Sequence, residues 1–338
     1  MNITTKQLPE AIMDVLYARL VPYISGSPGC GKSDIVRQVA NNLNLHLIDV
    51  RLSQMDSVDL NGFPTIHEGK TVFTPPIIFP IEGDPIPKGK DGILLFLDEL
   101  SSASLATQSA SYKLILDRMV GQYKLHDRVA IVAAGNKSTD KAIVNRMSTA
   151  MQSRMIHFNL VVNNKDWLEW ANSIGMDTRI TSFIEFRPEL LHNFNPNHTD
   201  NTYSSPRTWQ FVNNIIKDKP NLSLTDTIIL AGTVGEGAAR EFKGYTEIYE
   251  SLPTIKSITA NPTGIPIKET PDILYAFTGL ISANMNEKNI EALTKFIERL
   301  PLDFQIVTWI NSIKRNKELY ALPAVKQWIK THAKETLI

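Results

Sequence analysis

The chain has 338 residues, 43% of them hydrophobic and 21% charged, the proportions of a folded globular protein with room for two or three domains. Thirty-five basic side chains against 35 acidic ones leave a formal net charge of zero. That lacks the basic excess of a dedicated nucleic-acid binder and lowers the expectation of a DNA or RNA partner, without removing it from the inside of an assembled ring. No apolar run reaches the roughly 18–20 residues that cross a bilayer, and the start, MNITTKQLPEAIMDV, lacks the basic and apolar parts of a signal peptide. With Cys30 as the single cysteine, a disulfide framework is excluded, and a cytoplasmic protein with no membrane partner is expected.

In chain order, an opening helix is predicted from Thr5 to Leu20, and then short apolar strands alternate with amphipathic helices. Strands are expected at Val21–Ser25, His46–Leu52, Ile93–Leu97, Arg128–Ala134 and Met155–Leu160, with helices at Lys32–Asn42, Leu105–Arg118 and Ala142–Gln152. This alternation predicts an α/β fold, a doubly wound five-stranded parallel sheet with helices on both faces. Beyond Val161 the strand signal disappears. Helical periodicity follows at Asn164–Ile174, Thr178–Phe186, Pro206–Lys217 and Leu224–Val234, and continues toward Ile338. A proline-rich stretch from Asn261 to Pro271 punctuates this half. The expected division is a nucleotide-binding core over 1–160, a helical lid over 161–252 and a C-terminal helical region over 253–338.

Gly26-Ser27-Pro28-Gly29-Cys30-Gly31-Lys32-Ser33 matches GxxxxGK[ST] in full, and it stands between a predicted strand and a predicted helix. Glycines let such a loop turn its N–H groups inward onto phosphates, and the following helix adds its positive end, so the loop from Gly26 to Ser33 and Asp34 in the helix's first turn are the expected nucleotide-binding residues. Lys32 is placed to reach the β- and γ-phosphates, and Ser33 to ligate Mg²⁺. ATP/ADP and Mg²⁺ are therefore the expected cofactors. Ile93–Leu97 runs into Asp98 and Glu99. Acids at the C-terminal edge of a buried strand stand where ligands bind in open α/β sheets. Asp98 is suited to Mg²⁺, and Glu99 to polarising a water for attack on the γ-phosphate.

With these motifs in hand, the chain resembles a MoxR-type AAA+ ATPase over about Val21 to Val212. The strand ending in Gly135-Asn136 resembles the segment that ends in the sensor-1 residue, which implies that Asn136 contacts the γ-phosphate and the attacking water. Met147 to Met155 resembles the family segment ending in Asp-Arg-Phe, although Ser153 and Met155 replace the acid and the aromatic. The resemblance makes Arg154 the arginine finger that acts on a neighbouring subunit, with Arg146 as its rival. Ser205-Pro206-Arg207 resembles the sensor-2 motif, with serine as a helix cap and proline in the first turn. It implies that Arg207 couples nucleotide state to lid angle.

Two insertions resemble those of the MoxR-like clade: a hairpin with strands Phe63–Ile66 and Thr71–Thr74, and a second after Met119. In the family such loops face the ring pore or a partner. The resemblance implies a homo-oligomeric ring, a hexamer, remodelling a protein client, and a protein with a von Willebrand factor A domain is the implied partner. A motor on DNA or RNA and a nucleotide-dependent assembly switch with negligible turnover are the alternatives. The seven histidines form no HExxH or zinc pattern. The five tryptophans, at 167, 170, 209, 309 and 328, are expected to pack the helical half.

Overall fold

The computed structural model describes residues 2–140, 145, 147–197 and 200–332. Two units emerge, one of residues 1–162 and 195–198, the other of 163–194 and 199–338.

In the first unit, β1 (Asn2–Thr4) leads to α1 (Leu8–Tyr17), β2 (Val21–Ser25), α2 (Lys32–Asn42), β3 (Leu45–Arg51) and a short α3 (Ser57–Asn61). The hairpin β4 (Phe63–His67) and β5 (Lys70–Thr74) follows, then β6 (Gly92–Asp98) and α4 (Leu105–Leu116). A second small hairpin, β7 (Met119–Val120) and β8 (Tyr123–Lys124), precedes β9 (Val129–Gly135), α5 (Thr149–Gln152) and β10 (Met155–Val161). The central sheet has the order β1-β10-β2-β9-β6-β3, and every pairing in it is parallel.

The sheet is six-stranded rather than five-stranded as expected. The added strand, Asn2–Thr4, pairs with Asn159–Val161 at the sheet edge. Three residues are too few to show a period of two, and the opening helix begins at Leu8 rather than Thr5 because Asn2–Thr4 is spent on that edge. Of the expected helix Ala142–Gln152, the helical part among the described residues is Thr149–Gln152, capped by the Ser148 hydroxyl, while Asn145, Met147 and Ser148 are not helical. Residues 141–144 and 146 lie outside the described residues.

Alternation along the strands sorts the core into two layers. Tyr23, Leu95, Leu97, Ile131 and Ala133 point to one face, where they pack with Leu114 and Ile115 of α4. Ile24, Leu94, Phe96, Val132 and Ala134 point to the other, against Leu8 and Ile12 of α1 and Val36 and Val39 of α2. The middle of β6 is thus buried on both sides, which is why it reads as an unbroken apolar run. The β4–β5 hairpin is different: Phe63 is 67% and Ile66 84% exposed.

The second unit is helical: α6 (Asn164–Ser173), α7 (Thr178–Phe186), α8 (Pro206–Ile216), α9 (Leu224–Val234), α10 (Glu236–Ser251), α11 (Ile255–Ala260), α12 (Pro271–Asn284), α13 (Ile290–Ile297), α14 (Leu302–Arg315) and α15 (Pro323–Thr331). Phe183 of α7 lies 5.7 Å from the Trp209 ring and 5.2 Å from that of Phe242. The Trp209 indole N–H donates to the Leu190 carbonyl at 2.7 Å, which satisfies its one polar atom. Trp309 and Trp328 are buried with Phe277 and Phe296 in a second cluster. Trp167 and Trp209 are buried too, whereas Trp170 is 40% exposed, the one tryptophan that departs from the packing role.

This unit also buries polar groups. Asn311 of α14 donates to Glu185 Oε1 of α7 at 2.7 Å and accepts from Asn172 of α6 at 3.1 Å. Glu185 Oε2 is shut away from solvent with no hydrogen-bond partner among the described residues. Burial pushes the Glu185 carboxyl up to about 7, against the pull of Asn311, Arg315 and Lys314.

Candidate active site

The parallel register carries the ends of β3, β6, β9 and β2 to one edge: Arg51 pairs with Asp98, Leu97 with Ala133 and Ser25 with Gly135. Whatever follows each strand is brought together there, although the segments are far apart in sequence.

After β2, the loop Gly26–Gly31 turns into α2. Gly31 caps that helix at φ +97°, a conformation that a Cβ disfavours. A side chain on Gly26 would meet Cys30 Sγ at 2.9 Å, so the loop closes tightly on itself. Cys30 is buried, and burial pushes its thiol up, partly opposed by Lys32. An inert packing residue is the result, not a nucleophile. Ser27, Pro28 and Gly29 complete the turn, with Cys30 N–H donating to the Ser27 carbonyl at 3.4 Å. Asp34 points outward and pairs with Arg37 at 2.8 Å.

Lys32 Nζ donates to the Gly26 carbonyl at 2.6 Å, to the Ser27 carbonyl at 3.3 Å and to Asn136 Oδ1 at 3.2 Å. One ammonium therefore joins the loop after β2 to the residue after β9. Ser33 Oγ donates to Asp98 Oδ2 at 3.1 Å. A hydroxyl and a carboxylate oxygen at that distance are the hard oxygen pair that a magnesium site draws on, so the donor set fits Mg²⁺.

Glu99 sits at φ +58°, an uncommon conformation for a residue with a side chain. Its N–H donates to Asp98 Oδ1 at 2.8 Å, and its Oε2 accepts from the Ser53 hydroxyl. Asp49, on β3, has its carboxyl raised by burial first and by Asp98 second, with Arg51 and Arg37 opposing. The edge thus concentrates negative charge opposite Lys32. Ser101, two residues past Glu99, is buried and bonds to the backbone of Asn136. Burial likewise raises the Tyr23 phenol, with a hydrogen bond to Ser101 pulling the other way.

Ser53, Asp49 and Ser101 belong to this constellation and were not found by motif. The available signal is positional: Ser53 stands two residues past β3, next to the strand that ends in Asp98.

Arg154 is exposed. Its guanidinium donates to the Ala150 carbonyl at 3.0 Å and lies 5.5 Å from the Tyr112 ring centre. Arg146 lies outside the described residues. Arg207 belongs to the second unit, in the first turn of α8. Ser205 caps that helix by accepting from Thr208 N–H, with Pro206 beside it.

Among solved structures, the chain is similar to a candidate ATPase from Cytophaga hutchinsonii ATCC 33406, at 16% identity and a TM-score of 0.36, covering 97% of this chain and 88% of that one. It is also similar to two variants of RuvB from Thermotoga maritima. One has 14% identity and a TM-score of 0.40, covering 76% of this chain and 80% of that one. The other has 16% identity and a TM-score of 0.39, covering 77% of each. No match is found among curated proteins. The loop, the acids after β6, Asn136 and Arg154 all fall within residues 22–155, which match the model described as ATPase family associated with various cellular activities (AAA), so the chain carries an AAA-family domain over that stretch.

Proposed function

We propose that this protein is an ATP-hydrolysing AAA+ remodelling ATPase of MoxR type that acts as an oligomeric ring, a hexamer, on a protein partner. The observation that carries the reading is the convergence of Lys32, Asn136, Ser33, Asp98 and Glu99 at one sheet edge. Lys32 and the loop N–H groups hold the phosphates, and Asn136, bonded to Lys32, orients the γ-phosphate and the attacking water. Glu99 takes up the proton of that water as general base. Ser33 and Asp98 would hold a Mg²⁺, which would supply charge neutralisation for the phosphates.

Arg154 acts in trans in this reading, completing the site of the neighbouring copy. Its exposure and its seat on Tyr112 support that role, since the side chain is presented outward on its own domain. Arg207 reports nucleotide state to a lid over residues 161–252, with 253–338 as the C-terminal helical region. The exposed Phe63 and Ile66 of the β4–β5 hairpin suit contact with a protein client, a von Willebrand factor A domain protein in this reading. No helix among the described residues is long and apolar enough to cross a membrane.

The test is steady-state ATP hydrolysis against protein concentration for wild type, Glu99→Gln and Arg154→Ala. Specific activity should rise with concentration and both variants should be inactive, with Arg154→Ala partly rescued in mixtures that supply wild-type neighbours. Activity that is independent of concentration and survives Arg154→Ala would replace the ring with a monomeric nucleotide switch.

A further inference from the structure

One hydroxyl holds both backbone polar groups of Asn136. Ser101 Oγ accepts from the Asn136 N–H at 3.0 Å and donates to the Asn136 carbonyl at 3.2 Å. Ser101 is 2% exposed and stands in the turn Leu100–Ser102, directly after Glu99. The preceding residue must be small for this to happen: a Cβ on Gly135 would come within 2.5 Å of Ser101 Oγ and 2.4 Å of Tyr23 Oη. The backbone at 135–136 is thus drawn onto the turn that follows the two acids.

The same turn holds a second point of the chain. The Ser101 carbonyl accepts from Asn145 N–H at 2.7 Å, and Asn145 Nδ2 donates to the Ala103 carbonyl at 2.8 Å. Gln108, buried on α4, ties the two by donating to the Asn145 carbonyl at 3.2 Å and the Ala103 carbonyl at 3.3 Å. Each of these polar groups is bonded inside the protein, so a displacement of the turn costs several hydrogen bonds at once.

We propose that Ser101 is a positioning residue for hydrolysis: its hydroxyl fixes the backbone of Asn136 so that the amide stays on Lys32, and its turn couples Asn136 to the segment that carries Glu99. The inference rests on the hydrolysis reading above. In this proposal Ser101 makes no contact with the reacting groups. It acts through Asn136, whose Oδ1 is 3.2 Å from Lys32 Nζ. A misplacement of about 1 Å at such a group is enough to cost about a hundredfold in rate.

The experiment measures kcat, KM and ATP affinity for wild type, Ser101→Ala, Asn136→Ala and the double variant, with Glu99→Gln in parallel. Ser101→Ala should lower kcat about ten- to a hundredfold while ATP affinity changes by less than about threefold, because the phosphate loop is untouched. In the Asn136→Ala background, Ser101→Ala should cost no more than about twofold, since residues acting as one unit are not additive. Full additivity, or a kcat equal to wild type in Ser101→Ala, overturns the proposal. Ser101→Cys fills the same space with a weaker donor and repeats the test if the alanine variant does not fold. Failure of both to fold assigns Ser101 to the core alone and also overturns it. Wild-type hydrolysis in Glu99→Gln is a separate outcome, in which the hydrolysis reading itself is wrong.

Discussion

Glu185→Gln isolates the cost of burying a carboxylate in the helical unit. Folded, Glu185 keeps its proton up to about 7; unfolded, it releases it near its ordinary 4.5. Between these values the folded state binds more protons than the unfolded one. Its contribution is therefore fully present below about pH 4.5 and is lost as pH rises through about 7. At about 1.4 kcal/mol per pH unit, the interval amounts to about 3 kcal/mol. Gln copies the protonated form and keeps an oxygen for the 2.7 Å bond from Asn311. The variant should exceed wild type by less than about 1 kcal/mol near pH 5 and by up to about 3 kcal/mol at pH 8. For a unit of under 200 residues that is about 6–12 °C in Tm. Thermal melts followed by circular dichroism at pH 5, 6, 7 and 8 give the comparison. A Gln variant that is less stable than wild type at pH 8 would refute the reasoning, because it would make Glu185 an ionised partner of Arg315 rather than a buried acid.

Further outcomes are expected. Lys32→Ala should weaken ATP binding at least about tenfold, measured by fluorescent-nucleotide titration, with the melting profile unchanged, since Lys32 is the ammonium that charge-assisted bonds to phosphate require. Ser53→Ala removes a hydrogen bond from Glu99 Oε2 and should change basal hydrolysis by about two- to tenfold, the worth of one such bond; an unchanged rate would show that Ser53 does not restrain the base. Chelation of divalent cations should abolish hydrolysis, and Asp98→Asn should shift the Mg²⁺ concentration for half-activity upward. Trp209→Ala removes a fully buried indole and should cost about 3–5 kcal/mol, read as a lower denaturant midpoint of the helical unit.

Much of the α/β half was legible because strands buried on both faces write themselves as short apolar runs, and β2, β6, β9 and β10 fall within one or two residues of expectation. The helices Thr178–Phe186 and Leu224–Val234 were bounded as expected because their caps, Asp177 and Ser223, are ordinary cap residues. Asn2–Thr4 escaped because its partner, the far edge of β10, is contributed from 157 residues away. Ser53 and Ser101 escaped for a related reason. A serine after a strand is common, and its meaning comes from which strand lies beside it, which register alone decides. Nothing in its sequence neighbourhood marks Glu185 as buried; the packing of α12 on α7, with Asn311 of α14 bonded to Oε1, sets its surroundings.

The strand order has a consequence for how the protein comes into being. Ser25, Asp98 and Gly135 end three strands that lie side by side, yet the chain must run from 21 to 136 before the last of them exists. A nascent chain released at residue 120 would contain the whole glycine loop and both acids but not β9, the strand that lies between β2 and β6. The loop and the acids would then have no common edge. Competence to bind nucleotide should therefore switch on in a single late step of folding, when β9 inserts and joins two halves already made, and not grow with chain length.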